Sequence, residues 1–198
     1  MNAREPSTGS SSGINARIAR RVHGLRSHLG LSLEALAERT DVSRSMLSLV
    51  ERGEASPTAV VLEKIASGLG VSLATLFEDP AAPGSPVSHA AQRTPWRDPQ
   101  SGYVRTNISP PNYPSPIQIV DVVLPAGARV AYETGTHPSG IHQQIWVRSG
   151  SIEVTVGSLR YRLAEDDCLA MQLSAPVSFR NRARREARYI VILAQGVG

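Results

Sequence analysis

The stretch Leu31–Gly53, LSLEALAERTDVSRSMLSLVERG, reads as two short helices joined by a tight turn. Ser32 is placed to cap the first, and Leu33, Leu36 and Ala37 share one face at i, i+3, i+4 spacing. Thr40-Asp41-Val42-Ser43 interrupts the pattern, because such side chains bond nearby backbone and favour turns or caps. Ser43 then caps a second helix in which Leu47 and Val50 turn inward while Arg44, Ser45 and Ser48 turn out. Gly53 suits its left-handed end. The arrangement predicts a helix-turn-helix whose second helix is placed for the DNA major groove.

Upstream, Ile14, Ile18, Val22, Leu25 and Leu29 step by three and four, predicting an amphipathic first helix. Its other face carries Arg17, Arg20 and Arg21, which are either solvated or in contact with phosphate near the second helix of the motif. Residues 1–13, rich in Ser and Gly, are expected to be disordered. Downstream, Ser56-Pro57 opens a fourth helix with Leu62, Ile65, Ala66 and Leu69 buried and Gly70 at its end. Ser72 starts a fifth, turning Leu73, Leu76 and Phe77 inward. The expectation is an all-α five-helix bundle over residues 14–78.

In this order the motifs resemble the phage-repressor-like (XRE) helix-turn-helix family. The matching pieces are Leu29 to Leu33, Leu36-Ala37, Val42 to Ser45, Val50 to Gly53 and Ser56-Pro57-Thr58. The resemblance implies a transcriptional regulator bound to a double-stranded DNA operator through Ser43, Arg44, Ser45, Ser48, Leu49 and Arg52, with Arg17 on the backbone. Position 49 is often a polar base reader in the family; Leu49 leaves a thymine methyl or no contact at all. Arg26 and Glu51 fall on positions that form a buried ion pair joining the first helix to the recognition helix, and are otherwise two unrelated surface charges.

Composition sets the outer bounds. A chain of 198 residues, 41% hydrophobic and 19% charged, can form one large or two small soluble domains. No apolar run approaches the roughly 18 residues of a membrane helix, and a signal-peptide core is absent from the N-terminus, so a cytoplasmic location is expected and no membrane partner. Cys168, the single cysteine, leaves no intrachain disulfide and no cysteine-based zinc site. The net charge is +4, yet residues 1–80 hold nine basic and nine acidic side chains. DNA affinity must therefore come from local arrangement rather than global charge.

Residues 79–101, dense in Pro, Ala and Ser, read as a linker in which Trp96 is expected to pack on the next domain or a partner chain. From residue 102 to 198 short β-rich segments recur: Gln118 to Leu124, Gln144 to Arg148, Ile152 to Val156, Arg160 to Leu163, Val177 to Arg180 and Arg188 to Leu193. With Gly and Pro between them they predict an all-β sandwich or barrel. Pro125-Ala-Gly127, His137, Gln143 and Gly150, then Glu165-Asp-Asp167, Pro176 and Asn181, resemble the two motifs of a cupin, a double-stranded β-helix or jelly-roll barrel.

Many cupins hold a metal with two His and a Glu from the first motif and one His from the second. On that pattern His137 is retained, while Ser139, Gln143 and Val177 replace the other three ligands. His142, next to Gln143, would point to the opposite face. No metal and no cofactor are expected, which disfavours the alternative reading of a metal-dependent oxygenase or isomerase with an appended DNA-binding domain. Cys168 is expected to be a small buried residue. His137, Gln143, Met171 and Val177 then either contact a small-molecule effector or merely fill the core. A cupin that dimerises, giving a homodimer on a two-fold-related site, completes the expectation.

Overall fold

The computed structural model describes residues 9–78, 84–133 and 141–195. Four α-helices open the chain: α1 (Gly9–His28), α2 (Leu33–Thr40), α3 (Arg44–Glu51) and α4 (Ala59–Gly68). The expected caps form at α2 and α3, where Ser32 Oγ accepts from Ala35 N at 3.0 Å and Ser43 Oγ from Met46 N at 3.2 Å. Ile14, Ile18, Val22, Leu36, Leu47, Val50, Leu62 and Ile65 make the core of the bundle.

Several local expectations are corrected. Helix α1 begins at Gly9, inside the stretch expected to be disordered. Leu29 lies beyond the end of α1 and is 46% exposed. Helix α4 is capped by Thr58, whose Oγ1 accepts from Val61 N at 3.3 Å, and Ser56 instead accepts from Asn15 Nδ2 at 2.8 Å. The fifth helix is a 3₁₀ segment, Leu73–Phe77, so the bundle has four α-helices rather than five. Five residues give too few i→i−4 bonds to repay nucleation of an α-helix, and the tighter turn wins. Its side chains are nonetheless buried as expected.

Gly68 matters for how α4 meets α2. A Cβ there would come within 2.3 Å of Thr40 Cγ2, and Thr40 is itself held by donating to Leu36 O at 2.8 Å. Gly68→Ala would ordinarily add about 1 kcal/mol of helix stability, but overpacking costs about 1–3 kcal/mol. The variant is expected to melt lower than the wild type. Adding Thr40→Ser, which removes the methyl and keeps the hydroxyl bond, is expected to restore the midpoint in thermal denaturation.

The remainder is β. The strands are β1 (Trp96–Arg97), β2 (Val104–Asn107), β3 (Ile117–Leu124), β4 (Arg129–Tyr132), β5 (Ile141–Ser149), β6 (Ile152–Val156), β7 (Leu159–Leu163), β8 (Cys168–Gln172), β9 (Val177–Arg180) and β10 (Ala187–Gln195). They form a six-stranded sheet, order β1-β2-β3-β10-β5-β8, and a four-stranded sheet, order β4-β9-β6-β7. Between β3 and β10 the chain passes repeatedly from one sheet to the other, which stacks them face to face.

Among the described residues no ladder joins the two sheets, so the expected closed barrel is an open two-sheet sandwich. Aromatic rings fill the space between the sheets: Tyr132 and Phe179 lie 6.2 Å apart, and Phe179 stacks on Tyr189 at 5.7 Å. Strand β5 alternates as expected, with Gln143, Ile145 and Val147 buried. Gly150 follows it with φ +78°, and a Cβ there would sit 3.0 Å from Glu186 O, so only glycine lets this hairpin lie against the start of β10. Cys168, expected to be buried, is exposed on edge strand β8.

The two halves are docked. Asp98, 3% exposed, accepts from Ala59 N through Oδ1 at 2.8 Å, supplying α4 with a carboxylate at its N-terminus from across the domain boundary. Its Oδ2 accepts from Ser101 N at 2.7 Å. Asn107 Nδ2 donates to Ala74 O at 2.8 Å, and Ser72 Oγ to Gln118 Oε1 at 2.5 Å. Trp96, 3% exposed, packs between Phe77 at 5.4 Å and Tyr103 at 6.3 Å. Among the described residues no helix is long and apolar enough to cross a membrane.

Candidate functional site

Helix α3 packs on α1 and α2, while the β domain meets α4 through β4 and α1 through β1. The outward face of α3 is thus left open. Arg44, Ser45, Ser48, Leu49 and Arg52 surround one shallow concavity there. The Arg44 side chain is 65% exposed and pairs with Glu34 of α2, which is 60% exposed. Arg52 reaches Ser48 Oγ and, at 2.8 Å, Glu54 Oε2. Ser43 Oγ lies 3.1 Å from Ser45 Oγ while capping the helix. These exposed pairs are weak, so breaking them for another polar partner costs little.

The angle of α3 is set from behind. Arg26 of α1 grips Glu51 with both arms, Nε to Oε1 at 2.6 Å and Nη2 to Oε2 at 2.8 Å. Its Nη1 donates to Leu31 O at 2.7 Å, in the turn before α2. His23 Nδ1 lies 3.0 Å from Glu51 Oε2. The side chains of Arg26 and Glu51 are 14% and 9% exposed. Burial would raise the Glu51 carboxyl, but the hydrogen bonds from Arg26 and His23 outweigh it and hold the group below the usual carboxylate range. One planar fork therefore ties α1, the turn and α3 together.

Arg17 is placed elsewhere. It lines a cavity with Phe77, Glu78, Arg93 and Arg105, on the side facing the β domain. Arg21 donates to Thr75 O and to Glu78, both at 3.2 Å. Of the arginines that crowd the first helix in the sequence, Arg17 and Arg21 thus face the 3₁₀ segment and the β domain rather than the open face of α3.

A second cavity, of about 70 Å³, lies between the two sheets and is lined also by Glu63 of α4, by Ser72 and by Leu73 of the 3₁₀ segment. Gln143 and Val177, read from the sequence either as effector contacts or as core filling, line it. Met171 pairs in register with Gln143 on β8 but does not line the cavity, and His137 lies outside the described residues. Sequence reasoning missed Arg105, Tyr103, Tyr132, Tyr189, Glu63 and Ser72, which all line it. Burial pushes the Tyr132 and Tyr189 phenols well above their usual value, so both stay protonated at neutral pH, with the Arg105 charge pulling the other way.

The cavity does not fit a cupin metal. Val177 has no donor atom, Gln143 offers a neutral carboxamide, and the Arg105 guanidinium in the same walls would repel a cation. Among the described residues no group of three His, Cys, Asp or Glu converges anywhere.

Comparison with known proteins places this geometry. Residues 25–76 match the family described as Helix-turn-helix. The chain is 32% identical to the HTH-type transcriptional regulator SutR of Escherichia coli K12 over 132 residues, 67% of this chain and 68% of that one. The chain belongs to the HTH-type transcriptional regulators. The helix-turn-helix region is also 38% identical to SinR of Bacillus subtilis over 63 residues, 31% of this chain and 57% of that one. A crystal structure of an HTH_3 family transcriptional regulator from Vibrio cholerae superposes with a TM-score of 0.74 at 26% identity, covering 94% of this chain and 99% of that one. The XRE-type resemblance read from Leu29 to Thr58 is thereby established, and this HTH-type regulator is a DNA-binding protein.

Proposed function

We propose that this regulator acts in the cytoplasm as a homodimer that reads a two-fold-related operator, and that its β domain, read as a cupin-type half, senses a small molecule rather than catalysing a reaction. The observation that carries the reading is the open face of α3. It gathers Arg44, Ser45, Ser48, Leu49 and Arg52 on the surface turned away from the β domain, while Arg26 and Glu51 fix it from behind.

On this reading Arg44 and Ser45, in the first turn of α3, reach base edges, and Arg52 holds a phosphate. Leu49 meets a thymine methyl. One module of this size contacts few base pairs, so specificity requires two heads. The docked contacts of Asp98, Asn107 and Gln118 make the placement of each head depend on its β domain.

The test is selection of binding sites from random duplexes by the full chain, followed by fluorescence anisotropy and light scattering. The expected product is a pair of inverted half-sites about 10 base pairs apart centre to centre, bound by two chains. Enrichment of a single asymmetric half-site by a monomer would sink the dimer. No enrichment would sink sequence-specific reading by α3.

A further inference from the structure

Arg105 lines both the cavity between the sheets and the one it shares with Arg17 and Glu78, and part of its guanidinium is left without hydrogen bonds. Arg105 sits in β2, its backbone held opposite Trp96 of β1 and Val122 of β3. It is 6% exposed, and among the described residues its Nε and Nη2 have no hydrogen-bond partner. The guanidinium lies 5.5 Å from the Phe77 ring centre, a cation–π contact that leaves those in-plane donors unused. A buried guanidinium with idle donors is a poor structural element, since burial is tolerated only when a counter-charge and hydrogen bonds accompany it.

The surroundings say what would answer it. Leu173, Val177, Val191 and Leu193 supply apolar walls, and Gln143 and the protonated Tyr189 supply polar groups beside them. A cavity of about 70 Å³ accommodates roughly five to seven non-hydrogen atoms, taking one probe-sized site of about 10–15 Å³ for each water-sized group. An inorganic anion would leave the apolar walls uncovered, and an apolar solute would leave the guanidinium unpaired.

We propose that the cavity is a binding site for a compact organic carboxylate, its acid group taken by the Nε and Nη2 fork of Arg105 and its short apolar body lying against Leu173, Val177, Val191 and Leu193. The inference deepens the sensing reading of the β domain and rests on it for its regulatory meaning. Glu63 of α4 and Ser72-Leu73 line the same cavity, so an occupant touches the DNA-binding half directly. Occupancy favours the docked arrangement of head and β domain to the extent that the ligand binds that arrangement better than any other.

The experiment uses the full chain, with calorimetry and thermal shift against acetate, propionate, butyrate and isobutyrate. Propionamide, butyramide and inorganic phosphate serve as controls. Saturable binding is expected for at least one carboxylate, with its amide and phosphate at least about tenfold weaker, the loss that goes with a charge-assisted hydrogen-bond pair. Arg105→Met is expected to keep or raise the ligand-free melting point and to lose the carboxylate response.

Equal binding of acid and amide, equal binding of phosphate, or no saturable binding by any acid would each overturn the proposal. So would an Arg105→Met protein that binds the acid unchanged. If Arg105→Met does not fold, the acid–amide comparison in the wild type still decides. Operator binding is measured on the same preparations without ligand. Intact DNA recognition without carboxylate binding refutes this site alone, whereas carboxylate binding without DNA recognition refutes the proposed operator reading alone.

Discussion

Arg44→Ala is expected to remove most operator discrimination while leaving salt-dependent, nonspecific DNA binding in place. Arg44 opens α3 and is 65% exposed, so its loss removes no packing and the melting point should not move. A bidentate arginine–guanine contact discriminates by about 1–3 kcal/mol, and the proposed dimer would lose it in both half-sites. Anisotropy titrations with the selected operator and a scrambled duplex should therefore converge for the variant. Pairing with Glu34 adds a second arm. Since Glu34 is 60% exposed, Arg44 is released at little cost, and Glu34→Gln should tighten binding to any duplex by removing an acidic competitor. A variant Arg44→Ala that still prefers the operator by the wild-type margin would refute the proposed role of α3.

The second large effect concerns the fork behind that helix. Arg26→Met is expected to destabilise the protein by about 3 kcal/mol, because it leaves the Glu51 carboxylate unpaired at a site only 9% exposed. Specific DNA affinity should fall with it, since the angle between α1 and α3 loses its tie. The double variant Arg26→Met/Glu51→Leu should recover most of the stability, apolar pairs being as good as buried ion pairs once no charge is stranded. Its DNA affinity should recover less. Denaturant unfolding of the wild type, Arg26→Met, Glu51→Leu and the double variant provides the cycle; an Arg26→Met protein within about 0.5 kcal/mol of wild type would show the pair to be idle.

The same fork has a pH signature. The carboxyl of Glu51 is held below its usual value in the folded state, so the folded state binds fewer protons there than the unfolded chain. Its contribution is complete above the ordinary glutamate value of about 4.3 and is lost as pH falls through the folded value. The wild-type melting point should drop between pH 5 and pH 3. In Glu51→Gln that component of the drop should be missing, although the starting point is lower.

The helical half was legible because its signals are local. Caps at Ser32 and Ser43 need only neighbours three residues away, and the stripe Ile14, Ile18, Val22 repeats at the helix period. Even the partners Arg26 and Glu51 could be paired through the resemblance, since a shared motif order implies a shared geometry. In the β half the longer alternating strands, β3, β5, β6 and β10, were equally readable. The short β1, β2 and β4 were not: each has only two to four residues, and unlike the equally short β9, with Val177 and Phe179 alternating inward, none shows a clear apolar alternation.

What the linear order could not disclose is how the two halves meet. Asp98 looks like a linker residue until it is found on the first N–H of α4, thirty-nine positions away. Arg105 is the sharpest case: Val104 and Thr106 flank it as if it were the solvated member of an alternating pair, yet the guanidinium is inside and Val104 is half-buried. Its direction depends on which sheet β2 joins and which face Phe77 and the helical half cover. Secondary structure follows from torsional preferences and periodicity within a few residues. Where an isolated charge ends up, with water or with a ligand, follows from long-range pairing that no short window of residues contains.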